Sequence, residues 1–315
     1  MNADFISDIE QCEVGRALGY DLYRFGVRVA QPDWPECIGE GIRLAHSRQI
    51  VPCTAGRYQR KWLQLRLNAL KRQRIVDPAV TPLLLQQIDV VNCPVTRELL
   101  THGARQPSDW SIDRLNNDGA YAPYNLAVMS TFANRAKASR SFDEVLALAH
   151  SGGGGQLPPV QWLRLASLML GPCFAQKPHD APLLPLLAPV QRRAAIDSVQ
   201  LVQYVFTLQS ARPAEKNRLV KHFGRICPDA IGKRRLCTLA ELVHLRLKQV
   251  ECAWDVWLGD GVMEALSGWR SVMPASAWAQ AAHISMHLAG SRQVSHRALQ
   301  AFQVTTHGRY AVSFA

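Results

Sequence analysis

Apolar residues recur at three- and four-residue steps through most of this chain, the period of helices with one buried face. In Arg57–Arg74 the positions Trp62, Leu63, Leu67 and Leu70 form one stripe, the composition favours helix and no Gly or Pro interrupts. Asp77-Pro78 and Thr81-Pro82 break that run. A short apolar segment, Leu83 to Val91, then leads into Cys93-Pro94-Val95-Thr96. Ser141-Phe142-Asp143-Glu144 has the spacing of a capping box and predicts a helix through about Ala149. Gly152–Gly155 followed by Leu-Pro-Pro continues no regular element, so a linker is expected at 151–158.

Beyond it, residues 157–190 are apolar but broken by prolines, which predicts short helices and turns. Ile196, Val199, Val202, Val205 and Phe206 make another stripe. Thr238 and Glu241 have capping-box spacing, with Val243, Leu247, Val250, Trp254 and Trp257 following at helical steps. A helix is expected from Trp278 to Leu288, and a short terminal strand at Arg309–Phe314.

One stretch leaves the helical period. Asp113 sits on a predicted first strand, Asn117-Asp118-Gly119 supplies turn chemistry, and Asn125–Met129 reads as a second strand. Thr131 then opens a helix bearing Asn134, Arg135 and Lys137. The expected architecture is therefore mainly α, with an embedded hairpin–helix unit and a helical C-terminal domain. Its parts are residues 1–150, holding the 57–74 helix and a unit within 90–148, then the 151–158 linker, then 159–315. The last part names no activity, and a protein partner or oligomer contact through it is the expectation.

Charge adds a partner to this picture. The 315 residues carry a formal net charge of +11, which points to a polyanion, nucleic acid before an anionic membrane. The charge is uneven: residues 1–40 hold eight acids and three arginines, whereas 41–76 hold nine Lys/Arg and no acid. Arg57, Arg60, Lys61, Arg66, Lys71, Arg72 and Arg74 are thus candidate phosphate contacts along the 57–74 helix. Met1–Glu10 is acidic without an apolar core, so no secretory signal is expected, and no run of 18 uncharged apolar residues predicts a membrane span. The eight cysteines form no C-x-x-C pair, which fits reduced thiols in a cytoplasmic protein. No phosphate-cradling G-x-x-x-x-G-K-[ST] loop occurs, and His283/His287 lack the Glu of a zinc peptidase.

The chemistry of the hairpin is more specific. Hydrolysing a phosphodiester takes a cation to stabilise phosphate charge and a base to deprotonate water. Ser111-Ile112-Asp113-Arg114-Leu115-Asn116, Ala120-Tyr121, Tyr124-Asn125-Leu126 and Asn134-Arg135-Ala136-Lys137 fall in order within 27 residues. This series resembles the HNH (ββα-metal) endonuclease superfamily, in its phage and bacterial Ser-Ile-Asp-Arg branch, as does the upstream Cys93-Pro94 lead-in. The resemblance covers about residues 90–148.

The resemblance implies a divalent-metal-dependent endonuclease, on DNA ahead of RNA. Asp113 and Asn134 would be ligands to Mg²⁺ or Mn²⁺, Asn125 would tie the loop between the strands, and Arg135 and Lys137 would face phosphates. Arg114 stands where most relatives have a basic His. An Arg cannot deprotonate water near neutral pH but can hold a scissile phosphate, and His102 is the nearby candidate base. Asn116 replaces the branch's usual Asp and removes one negative charge near the ion. The paired cysteines of a zinc knuckle are missing, since Cys93 is matched by Thr96, Ser130 and Ala133. No structural zinc is expected, and packing around Trp110, Ile112, Leu126, Val128 and Phe132 would hold the unit instead. Two alternatives remain open: a degenerate HNH-like nucleic-acid-binding protein, and a helical interaction or regulatory protein.

Overall fold

The structure is a computed structural model that describes residues 8–152, 155–174, 181–188, 198–259 and 261–290. It is mainly helical, with one two-stranded sheet. The strand expected at 309–314 and Ile196 lie outside the described residues.

The first three helices are α1 (Asp8–Arg24), α2 (Glu36–Ser47) and α3 (Arg57–Lys71). The first two cross backbone to backbone. A Cβ added at Gly19 would lie 2.1 Å from the Ile38 carbonyl oxygen, and one at Gly41 would lie 2.0 Å from that of Arg16. Only glycine allows that approach. Leu18, Ile38, Ile42, Leu63 and Leu70 fill the space among the three helices.

Strand β1 (Trp110–Arg114) pairs antiparallel with β2 (Leu126–Ser130), Asp113 opposite Ala127 and Trp110 opposite Ser130. The short helix α4 (Pro82–Gln87) precedes them, capped by the Thr81 hydroxyl, which accepts from the Leu84 amide. Helix α5 (Thr131–Lys137) follows β2 at once, because Ser130 Oγ accepts from the Ala133 amide and starts the turn. The Ser141–Glu144 capping box is present and opens α6 (Phe142–His150).

The 151–158 segment does not divide the core. The next helix, α7 (Pro159–Phe174), is one continuous element rather than short turns, and it packs along α6. Trp162, Leu165 and Met169 share an apolar cluster with Leu126, Val128 and Phe142. The clusters change over later, within 181–188, where Leu184 belongs to the hairpin side and Leu187 to the C-terminal side.

The C-terminal cluster is built from α8 (Ser198–Gln209), α9 (Pro213–Phe223), α10 (Ala230–Leu247), α11 (Val262–Ser271) and α12 (Ala275–Leu288). Val199, Val202, Val205 and Phe206 are buried in it, as their stripe predicts. Helix α10 begins eight residues before the expected Thr238 cap. Asp229 caps it by accepting from the Gly232 amide, and Thr238, now inside the helix, donates back to the Arg234 carbonyl.

Candidate functional site

Alternation along β1 sends Ser111 and Asp113 to one face and Trp110, Ile112 and Arg114 to the other. Helix α5 packs against the Ser111/Asp113 face, and its residues meet that face one turn apart. Asn134 Nδ2 donates to Ser111 Oγ at 2.7 Å. One turn later Lys137 Nζ lies 3.0 Å from Asp113 Oδ2. The structure therefore gives Asp113 and Asn134 separate protein partners on facing elements.

The Asp113–Lys137 pair is closed to solvent, the lysine side chain fully and the aspartate all but 7%. Nζ directs its hydrogen bonds to the Arg114 carbonyl at 2.7 Å and to Asn117 Oδ1 at 3.1 Å. The ammonium is 3.0 Å from Oδ2 of Asp113 but directs its well-aligned hydrogen bonds elsewhere, so charge is the main tie between the two. Burial pushes the Asp113 carboxyl above its ordinary range, against the pull of Lys137 and Arg114. Lys137 was expected to face phosphate; its complete burial removes it from any such contact in this conformation.

A carboxylate and an amide oxygen are donor types that suit a hard divalent ion, and Asp113 Oδ2 has no hydrogen-bond donor of its own. The charge an ion would neutralise is already met by Lys137. Among the described residues no group of three or more His, Cys, Asp or Glu gathers.

Asn125 is fully buried and ties the loop between the strands. Its Oδ1 accepts from the Asn116 amide at 2.7 Å, and its Nδ2 donates to the carbonyls of Asn116 at 2.8 Å and Ala120 at 3.0 Å. Gly119 lets this amide in: a Cβ there would lie 2.7 Å from Nδ2. Asn116, expected near the metal, turns inward and accepts from the Asp118 amide, a turn-forming role. Arg114 donates to the Gly119 carbonyl at 2.9 Å and stacks 4.8 Å over the Tyr121 ring. Burial draws its pKa down, helped by the charges of Arg74 and Arg72. A guanidinium nonetheless remains a cation. Arg135 is exposed on α5.

His102 is exposed on the loop before β1, edge-on to Trp110 at 5.5 Å. Trp110 belongs to the opposite face from Asp113, so the structure does not bring this imidazole to the carboxylate. Burial lowers its pKa, as does the charge of Arg57, and it stays a neutral ring at pH 7.

Cys93 is buried, and its sulfur accepts the amides of Thr96 at 3.4 Å and Ser130 at 3.3 Å. One thiol thus joins the two chain segments a zinc knuckle would join. Trp110 packs under Tyr58 and Lys61 as part of the core.

The cations of the 57–74 segment are largely engaged inside the molecule. Arg57 pairs with Asp89 at 2.7 Å, Arg66 with Asp21 at 2.5 Å and Lys71 with Asp33 at 2.5 Å. Arg60 donates to the Ala55 carbonyl, and Lys61 sits 5.1 Å over the Trp110 ring. Arg72 and Arg74 lie near Arg114 at the loop end of the hairpin. The acids that take up this helix's charge come from 32 to 45 residues away, which local sequence does not disclose.

The sheet, its tied loop and the helix laid on one face define a hairpin–helix unit set in a helical protein. The chain matches no protein-family model, no curated protein and no solved structure.

Proposed function

We propose that this chain is an HNH-like, divalent-metal-dependent endonuclease acting on nucleic acid, on DNA ahead of RNA. The observation that carries the reading is the hairpin–helix unit itself. It sets α5 across the face of β1 that bears Asp113, so that Asp113 and Asn134 stand on facing elements. Those two residues would hold the ion, which when bound supplies charge stabilisation to the phosphate and an activated water. Around them, Arg114 keeps a fixed positive charge near the turn and Arg135 offers an exposed one to the backbone. Lys137 already takes up Oδ2 of Asp113, so an ion would load on the other carboxylate oxygen or displace the ammonium.

That same ion pair favours a second reading, a protein that binds nucleic acid through this unit without cutting it. Nicking of supercoiled plasmid in Mg²⁺ or Mn²⁺, set beside a binding assay, separates the two. The endonuclease reading expects nicking by the parent and a loss of about 100-fold or more in Asp113→Ala, with binding kept. Binding without nicking in either metal supports the second reading. A protein that neither binds nor nicks overturns both.

A further inference from the structure

A second concentration of positive charge lies away from the hairpin, in the segment 212–248. It holds ten Lys/Arg and three acids. On α9, Arg218 and Lys221 are exposed, and Arg225 extends the same three- to four-residue spacing just past the helix end. Leu219 and Phe223 bury the opposite side of that helix. After a turn of six residues, α10 begins with exposed Lys233 and Arg234 one turn beyond its cap. The two helices pack together, which brings the end of α9 beside the start of α10.

The acids of this corner are committed elsewhere. Asp229 accepts from the Gly232 amide, Glu241 pairs with Lys216 and Glu215 with Arg212. Arg235 is likewise in structural use, donating to the Gly268 carbonyl and the Ser271 hydroxyl. No ion pair engages Arg218, Lys221, Arg225, Lys233 or Arg234 among the described residues. This is the reverse of α3, where three cations are each bound to a carboxylate.

We propose that the α9–α10 corner is the principal surface docking the phosphate backbone of a nucleic-acid duplex. The inference rests on the reading of the chain as a nucleic-acid-binding protein. A helix rises ~1.5 Å per residue, so Arg218 to Arg225 spans about 10 Å, along which a duplex presents about six phosphates. Linear charge on a rigid helix suits a linear polyanion. A membrane-binding helix sets its cations around a broad apolar face, and here Ile231 is the single large apolar side chain exposed between Arg218 and Arg234.

The test is fluorescence anisotropy of a labelled DNA duplex over a salt series, with the full chain and three variants. These are the triple Arg218→Gln/Lys221→Gln/Arg225→Gln, the double Lys233→Gln/Arg234→Gln, and Arg48→Gln as a control that removes one exposed positive charge from the N-terminal helices. All altered residues are exposed, and unchanged thermal unfolding verifies their fold. Each phosphate contact contributes about 0.9 to the slope of log K against log salt, so the triple variant should lose up to about three and the double up to about two. Affinity near 0.1 M salt should fall at least about ten-fold in both and stay unchanged in the control. A parent that binds the duplex while the triple and double variants keep its affinity and slope overturns this surface and leaves the nucleic-acid reading standing. Binding to phosphatidylserine vesicles without duplex binding, or binding to neither, overturns both. Binding lost in the variants while plasmid stays uncut leaves this surface intact and counts against the endonuclease alone.

Discussion

Burying an ammonium costs several kcal/mol unless an opposite charge and acceptors meet it, and Lys137 has both. Removing one member alone strands the other. Lys137→Ala should destabilise the protein by about 3–5 kcal/mol, and Asp113→Ala by a comparable amount. The double variant should cost clearly less than the two together. A double-mutant cycle by urea unfolding checks this, and strict additivity would show the two side chains do not interact. Residue types such as Asp, Asn and Arg in order suggested a metal centre, and their identity was legible. Which of them face one another was not. Asp113 and Lys137 are 24 positions apart, and only the packing of α5 on β1 makes them neighbours.

At the scale of elements, the hairpin was readable because its determinants are local: turn residues at 117–119, alternation on either side, and a serine at the helix start. The same holds for the 141–144 capping box. Where an element depends on distant partners the reading slipped. Helix α10 starts at Asp229 rather than near Thr238, and α1 and α2, joined through Gly19 and Gly41, were not foreseen. Asn125 shows what the tied loop is worth. Three buried hydrogen bonds depend on its amide, so Asn125→Ala should cost about 3 kcal/mol and loosen residues 115–125 first. Hydrogen exchange should show amides of this loop opening before those of β2, and uniform opening would deny the loop its separate stability.

Across the whole molecule, the hairpin side and the C-terminal helices meet through a shared carboxylate. Asp255, on the short 3-10 helix at Ala253–Leu258, lies 3.1 Å from Arg97 and 3.5 Å from Arg164. Arg97 also donates to the Leu187 carbonyl at 2.6 Å, and Arg164 to that of Val95 at 3.3 Å. Two partly buried guanidiniums against one carboxylate make this tie sensitive to its acid. Asp255→Asn should lower stability by about 2–3 kcal/mol and separate the unfolding of the two apolar clusters. Calorimetry would then record two transitions in place of one; a single unshifted transition would mean the clusters are coupled by packing alone. The position of this divide, within 181–188, could not be read from the glycine run at 152–155. It is the apolar side chains of α7 that decide to which core that helix belongs.

The self-contained clasp between Asp113 and Lys137 separates two needs that ion-built folds bind together. Because its own side chain brings the positive charge, the hairpin–helix unit can reach its shape in surroundings stripped of divalent ions. On the endonuclease reading proposed above, scarcity of such ions would govern cutting and leave folding untouched.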